Sequence, residues 1–240
     1  MTGRTSLDGY RQQRIAALLI GVLWLSGCAM RADQIPQDAR PAEAYTRLGE
    51  AYLARDNLPR ASQALRHALE LAPDNAVAHQ AMAMVHQRRG DERLADAAFR
   101  EALQAAPDLT RARNNYAAFL YDQGQFDAAC HQLQRASQDR HYAERARLLV
   151  NLGRCQLALG KEAAARASFE EALSIAPDHA GGHLHLGELE AARGNLGSAE
   201  RHLEHYRRLA GPDSQAARLA DKISRARDGQ RLPAASPGTS

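Results

Sequence analysis

Three cysteines and ten histidines carry most of the reactive chemistry in these 240 residues. His179, His183 and His185 lie close together, and His202 and His205 stand three apart, on one face if the segment is helical. A metal site needs such side chains at fixed spacing, and no H-E-x-x-H or comparable pattern occurs. There is likewise no G-x-S-x-G, no phosphate-cradling glycine loop and no ordered pair of carboxylates. The histidines therefore read as surface or inter-helix residues. No metal, cofactor or catalytic residue is expected, and a metal-dependent hydrolase is only the remote alternative to a non-enzyme. Cys130 and Cys155 are about two dozen residues apart. In an oxidising compartment they can form a disulfide; otherwise they read as two small buried residues.

The compartment is suggested by Cys28. An apolar run over residues 15–25 follows Arg11 and Arg14 and leads into Ser26, Gly27 and Cys28. A basic start, a short apolar centre and small residues at the end make a secretory signal. As a helix the run covers only about 20 Å, too short for a bilayer core of about 30 Å. The ending Leu25-Ser26-Gly27-Cys28 resembles the lipobox of bacterial lipoproteins. That resemblance implies that residues 1–27 are removed, that Cys28 carries a diacylglycerol, and that its new amino group is acylated. Two lipid chains already anchor stably, so three hold the protein at a membrane. In proteobacterial lipoproteins an Asp after the cysteine commonly means retention in the inner membrane. Ala29 stands there, so the expected address is the outer membrane, with the chain facing the periplasm.

Removing residues 1–27 takes away Arg4, Arg11, Arg14 and Asp8 and lowers the formal charge from +3 to +1. That balance gives no basic face for nucleic acid. The mature chain is rich in Ala, Leu, Arg, Glu and Gln, all good helix formers, and no stretch alternates as a strand does.

Self-comparison supplies the elements. Pro73 and Pro107 are 34 apart, as are Gly90 and Gly124, and Gly160 and Gly194. A period of 34 is that of the tetratricopeptide repeat, a helix–turn–helix unit. Five repeats fit at 42–75, 76–109, 110–143, 146–179 and 180–213, with Glu144-Arg145 inserted. Position 20 is Ala61, Ala95, Ala129, Ala165 and Ala199, small where helices must approach closely. Position 8 is Gly49, Ala83, Ala117, Gly153 and Gly187; position 7 is Leu48, Met82, Tyr116, Leu152 and Leu186. Position 24 is Leu65, Phe99, Leu133, Phe169 and Leu203. Position 27 is Ala in four repeats and Tyr206 in the fifth. Position 15, the turn between helices, is glycine except for Asp56 in the first repeat. Position 32, a proline stop in the first, second and fourth repeats, is His141 in the third, so that junction should be irregular.

The expected fold is all-α: a right-handed superhelical solenoid of about five tetratricopeptide repeats over 42–213, with a C-terminal capping helix over 214–228. Residues 28–41 read as a lipidated tether and 229–240 as a disordered tail. Such solenoids bind peptides or protein surfaces on the face lined by their first helices. Positions 2, 5, 9, 12 and 13 usually face that groove, and here include Leu53, Met84, Arg88, Asn114, Tyr121, Arg147, Val150, Arg154 and Leu157. They describe an apolar strip flanked by arginines, suited to an amphipathic or extended partner segment; alternatively, some of them pack the first helices together.

A closer resemblance rests on Asn114-Asn115-Tyr116, Phe119-Leu120, the inter-repeat insertion, Asn151-Leu152-Gly153 and Tyr206-Arg207-Arg208-Leu209. With the lipobox, these make the chain similar, over about residues 15–212, to the type IV pilus biogenesis/stability lipoproteins (the PilF/PilW family), the pilotins of the pilus secretin. The resemblance implies an outer-membrane lipoprotein that helps the secretin subunit reach the outer membrane and multimerise; the chain itself is expected to be monomeric. The chain departs from the family where members commonly continue into a sixth repeat, and at Ala117, where the family often has glycine. The rival reading is a repeat lipoprotein that scaffolds another envelope complex, in outer-membrane protein assembly or peptidoglycan synthesis.

Overall fold

The computed structural model describes residues 39–231. The leader, Cys28 and the last nine residues of the tail lie outside that span. Among the described residues eleven helices follow one another: α1 (Ala39–Ala54), α2 (Leu58–Leu71), α3 (Ala76–Arg89), α4 (Glu92–Ala105), α5 (Thr110–Asp122), α6 (Phe126–Ala136), α7 (Arg145–Ala158), α8 (Glu162–Ile175), α9 (Ala180–Ala192), α10 (Leu196–Ala210) and α11 (Ser214–Arg231). No strand occurs among the described residues, and none of their helices is long and apolar enough to cross a membrane. The helices pair as five hairpins, α1 with α2 through α9 with α10. Each first helix also touches the first helix of the next hairpin, so the chain stacks as a solenoid of repeats in two layers.

The columns of small residues explain the stacking. All five position-20 alanines are 0% exposed, which leaves no room for a larger side chain between the helices. The position-24 residues Leu65, Phe99, Leu133, Phe169 and Leu203 are buried above them. In the first and fourth repeats position 8 is glycine because position 24 of the same repeat leans on it. A Cβ on Gly153 would lie 2.4 Å from a ring carbon of Phe169. Position 7 fills the seam with the preceding repeat: Tyr116 stacks on Phe99 with ring centroids 5.2 Å apart.

The turns follow their residue types. Gly90, Gly124, Gly160 and Gly194 all have φ between +70° and +78°, and Asp56 adopts the same left-handed backbone at φ +57°. A short polar side chain tolerates that region better than most. Arg88 reinforces the turn by donating to Leu53 O at 2.7 Å and Asp56 Oδ1 at 3.1 Å.

The third repeat ends as its missing proline predicts. Helix α6 has 11 residues, and an extended connection, residues 137–144, leads to α7. Local bonds fasten it: Thr110 Oγ1 donates to Asp139 Oδ2 at 2.7 Å, and Arg145 pairs with Glu171 at 2.6 Å. Cys130 of α6 and Cys155 of α7 are disulfide-bonded across it, with Cα atoms 5.6 Å apart.

Helix α11 closes the far end and runs three residues past the expected 228. Ala216, Leu219 and Ile223 are buried against Leu184, Ala199, Leu203 and Tyr206. Tyr206 replaces the position-27 alanine and donates toward Asp213 Oδ2 at 2.6 Å, with Gln215 Oε1 at 2.8 Å. Burial and the Asp213 carboxylate push the Tyr206 hydroxyl up to about 12. Asp213 also accepts from the Gln215 and Ala216 amides and so caps α11.

Candidate protein-binding groove

The first helices α1, α3, α5, α7 and α9 lie side by side, so side chains from one edge of each line a common surface. Six of the nine residues expected there retain exposure. Arg88 and Arg147 are exposed, and Met84, Tyr121, Arg154 and Leu157 are half-buried. The other three belong to the interior. Leu53 is 5% exposed and packs with Ala61, Leu65 and Val85, because position 12 of the first repeat turns into the seam with the second. Val150 is 5% exposed in the central core. Asn114 is buried, and its Oδ1 accepts from Asn151 Nδ2 at 3.1 Å, tying α5 to α7. These three hold the first helices together and offer a partner no surface.

The remaining strip is centred on α5 and α7. The Arg154 guanidinium carbon lies 4.8 Å from the centroid of the Tyr121 ring. That stacking is a cation–π contact that also fixes the guanidinium in place. The Tyr121 ring also meets Phe126 edge-on at 5.1 Å. A cleft beside the pair is lined by Ala117, Ala118, Asp122, Leu133 and Asn151. Its floor is small and apolar and its rim polar. Toward the second repeat, Met84 Sδ accepts from Gln80 Nε2 at 3.0 Å and Asn115 Nδ2 at 3.5 Å.

Most arginines of this face are answered by a carboxylate. Arg88 pairs with Asp56 at 3.1 Å, and Arg147 pairs with Glu144. Arg111 reaches Glu50 at 2.8 Å, which joins the third repeat to the first across the surface. Arg111 and Glu50 stand at groove positions 2 and 9, but their pairing joins repeats that are not adjacent and so escapes a comparison of neighbouring units; the amides of Asn115 and Asn151 stand at position 6, outside the expected groove positions. The run Asn114-Asn115 and the matching Asn151 were the available signal.

A second apolar surface lies at the open end of the first repeat. Leu48 is 43% exposed although every other position-7 residue is buried, because among the described residues no preceding repeat covers it. Tyr45 and Tyr52 flank it, with His67 packed edge-on against Tyr45 at 4.3 Å and Arg60 over Tyr52 at 5.7 Å.

The histidines take packing and capping roles. His179 caps α9 by accepting from the Gly182 amide at 3.3 Å. His183 Nε2 lies 2.9 Å from Pro177 O, which requires Nε2–H and leaves Nδ1 as an acceptor. His202 Nδ1 sits 3.0 Å from that atom and must carry the shared proton. His205 stacks on His183 at 4.6 Å. Desolvation, then His183 and His205, lower His202 to about 4. Among the described residues no three His, Cys, Asp or Glu side chains converge as metal ligands.

Comparison with known proteins places this geometry. Tetratricopeptide-repeat family models match residues 42–75, 108–178 and 156–223. The type IV pilus assembly protein PilF of Pseudomonas aeruginosa is 39% identical over 169 residues, which cover 68% of this chain and 66% of that protein. The solved structure of Pseudomonas aeruginosa PilF superposes with a TM-score of 0.75 at 32% identity, covering 80% of this chain and 87% of the other. PilW, a type IV pilus biogenesis factor, shares the fold with a TM-score of 0.71 at 23% identity, covering 78% and 86%. YrrB, a tetratricopeptide-repeat protein with an unusual peptide-binding site, does so at 0.60 and 21%, covering 74% and 90%.

Proposed function

Since this chain belongs to the tetratricopeptide-repeat proteins and is homologous to the type IV pilus assembly protein PilF, we propose that it is a pilotin. In this reading it is a scaffold anchored in the outer membrane through lipid on Cys28. It binds the type IV pilus secretin subunit and promotes the secretin's outer-membrane localisation and multimerisation. The homology to PilF carries the reading. The apolar run ending in Leu25-Ser26-Gly27-Cys28 supports the lipid anchor, and the half-buried strip of Met84, Tyr121, Arg154 and Leu157 supports a protein ligand. Anchor and groove divide the work: one supplies the address, the other carries the subunit to it.

The test is the state of the secretin in a strain lacking this gene, followed as heat-resistant multimers in separated inner and outer membranes. Multimers should vanish or remain in the inner membrane. Cys28→Ser should leave the repeats folded but misplace the protein. Tyr121→Ala with Leu157→Ala should leave it anchored and weaken subunit binding. Normal multimers, normally placed, in the deletion strain would assign this lipoprotein to another envelope assembly.

A further inference from the structure

We propose that the groove recognises its ligand through a carboxylate: an extended segment whose acidic side chain meets Arg154 and Tyr121 while a neighbouring apolar side chain enters the cleft over Ala117 and Ala118. The inference rests on the groove being the partner site, but it concerns the chemistry read there.

Charge complementarity carries it. Arg88, Arg111 and Arg147 are neutralised by Asp56, Glu50 and Glu144. Arg154 has no carboxylate within ion-pair distance among the described residues; its contact is the Tyr121 ring at 4.8 Å. Asp122 lines the same cleft without pairing to it. The Tyr121 hydroxyl likewise donates to no described group. A guanidinium presents five donors in a planar fork that fits a carboxylate through two parallel bonds. Stacking on Tyr121 holds that fork in one orientation, so less side-chain freedom is lost when a ligand arrives. Arg154 is half-buried, where a charge-assisted bond is less screened than at an open surface. Beside it Ala117 and Ala118, with Leu133 behind, line a small cleft of about 40 Å³ that admits the methyl tip of an apolar side chain. Asn151 lines the same cleft next to Arg154, so an extended backbone crossing from α7 to α5 passes a carboxamide.

The experiment uses the mature chain and two probes. The first is a set of short peptides, each with a leucine flanked by Asp, Asn or Lys, immobilised and titrated with wild type, Arg154→Gln, Arg154→Lys and Tyr121→Phe. Wild type should prefer Asp over Asn by about tenfold, a difference of about 1.4 kcal/mol, and should reject Lys. Arg154→Gln should abolish the Asp preference, and Arg154→Lys should restore part of it. Tyr121→Phe keeps the ring under the guanidinium and should lower the preference by less. The second probe is the purified secretin subunit. Its affinity for wild type should fall at least tenfold with Arg154→Gln, and the salt dependence of binding should flatten. Equal binding of Asp and Asn peptides by wild type, or an unaltered preference in Arg154→Gln, overturns the proposal. An acid preference on the peptides with no secretin binding upholds the carboxylate chemistry and removes the secretin as the partner.

Discussion

Reducing the Cys130–Cys155 bond should lower the free energy of unfolding by roughly 3.5 kcal/mol. The two residues are 25 apart in sequence. Closing a loop of about 26 residues removes about 12 cal/mol/K from the unfolded chain, or about 3.5 kcal/mol at 25 °C, in the chain-entropy account. The location concentrates the effect. The loop encloses residues 137–144, the long connection where the proline stop is absent, and its two ends tie α6 to α7. Both cysteines are buried, so reductant acts only after local opening, and native protein should resist mild reduction. The assay is urea unfolding of the soluble chain beginning at Ala29, followed by circular dichroism with and without reductant. Cys130→Ala/Cys155→Ala serves as a second reduced form. With a slope of about 2 kcal/mol/M the midpoint should fall by about 1.7 M. Repeat arrays lose cooperativity when one junction weakens, so the reduced curve should also broaden or split. A midpoint that moves by less than about 0.3 M in both reduced forms would refute this reasoning. So would two free thiols in the oxidised, denatured chain.

Two further perturbations probe the packing. Gly153→Ala places a methyl 2.4 Å from a carbon of the fully buried Phe169 ring and should cost about 1–3 kcal/mol. Gly49→Ala meets Leu65 at 2.5 Å and should cost less, because a leucine side chain can change rotamer where a ring cannot; thermal unfolding of the two variants ranks them, and the reverse order would contradict the packing account. The histidine cluster sets a pH dependence. His202 is held neutral in the folded state down to about 4, whereas it takes up a proton near 6.5 when unfolded. A lowered value means that stability is full above about pH 6.5 and is lost as pH falls toward 4. After allowance for solvent screening the loss should be about 1–2 kcal/mol. His202→Gln should flatten the stability profile between those limits, and an unchanged slope would remove the cluster as its source.

The repeat made most of the fold legible because it states the same packing problem five times. A single Ala61 or Gly90 says little. The same residue types at 34-residue intervals say that helices approach there and that the chain turns left-handed there. The burial of every position-20 alanine and the positive φ of every position-15 residue, Asp56 included, are the structural counterparts. What a column does not report is which neighbour a residue meets. Leu53 and Tyr121 both occupy position 12, yet Leu53 turns into the seam below Val85 while Tyr121 stays half open under Arg154. The difference comes from the next repeat: the second offers small and apolar residues for Leu53 to pack against, and the fourth offers a guanidinium. Position lists average over that choice.

The ends and the long connections escape the period for the same reason. Leu48 obeys the position-7 rule in type and breaks it in environment, because its covering helix would belong to a repeat that the described residues do not contain. At the other end, Leu219 and Ile223 of α11 supply that cover for the fifth repeat, and Tyr206 and Asp213 secure the joint. The Arg111–Glu50 bridge spans two repeats and therefore lies beyond any comparison of adjacent units. Residues that satisfy the columns hold the solenoid together, so recognition chemistry must come from positions that the columns leave free. Arg154 is such a residue: its repeat mates at position 9 are Glu50, Met84, Ala118 and Glu188, no two adjacent ones alike. A position that varies between repeats is under no shared packing demand; Glu50 spends that freedom on Arg111, whereas Arg154 keeps its guanidinium open to a ligand.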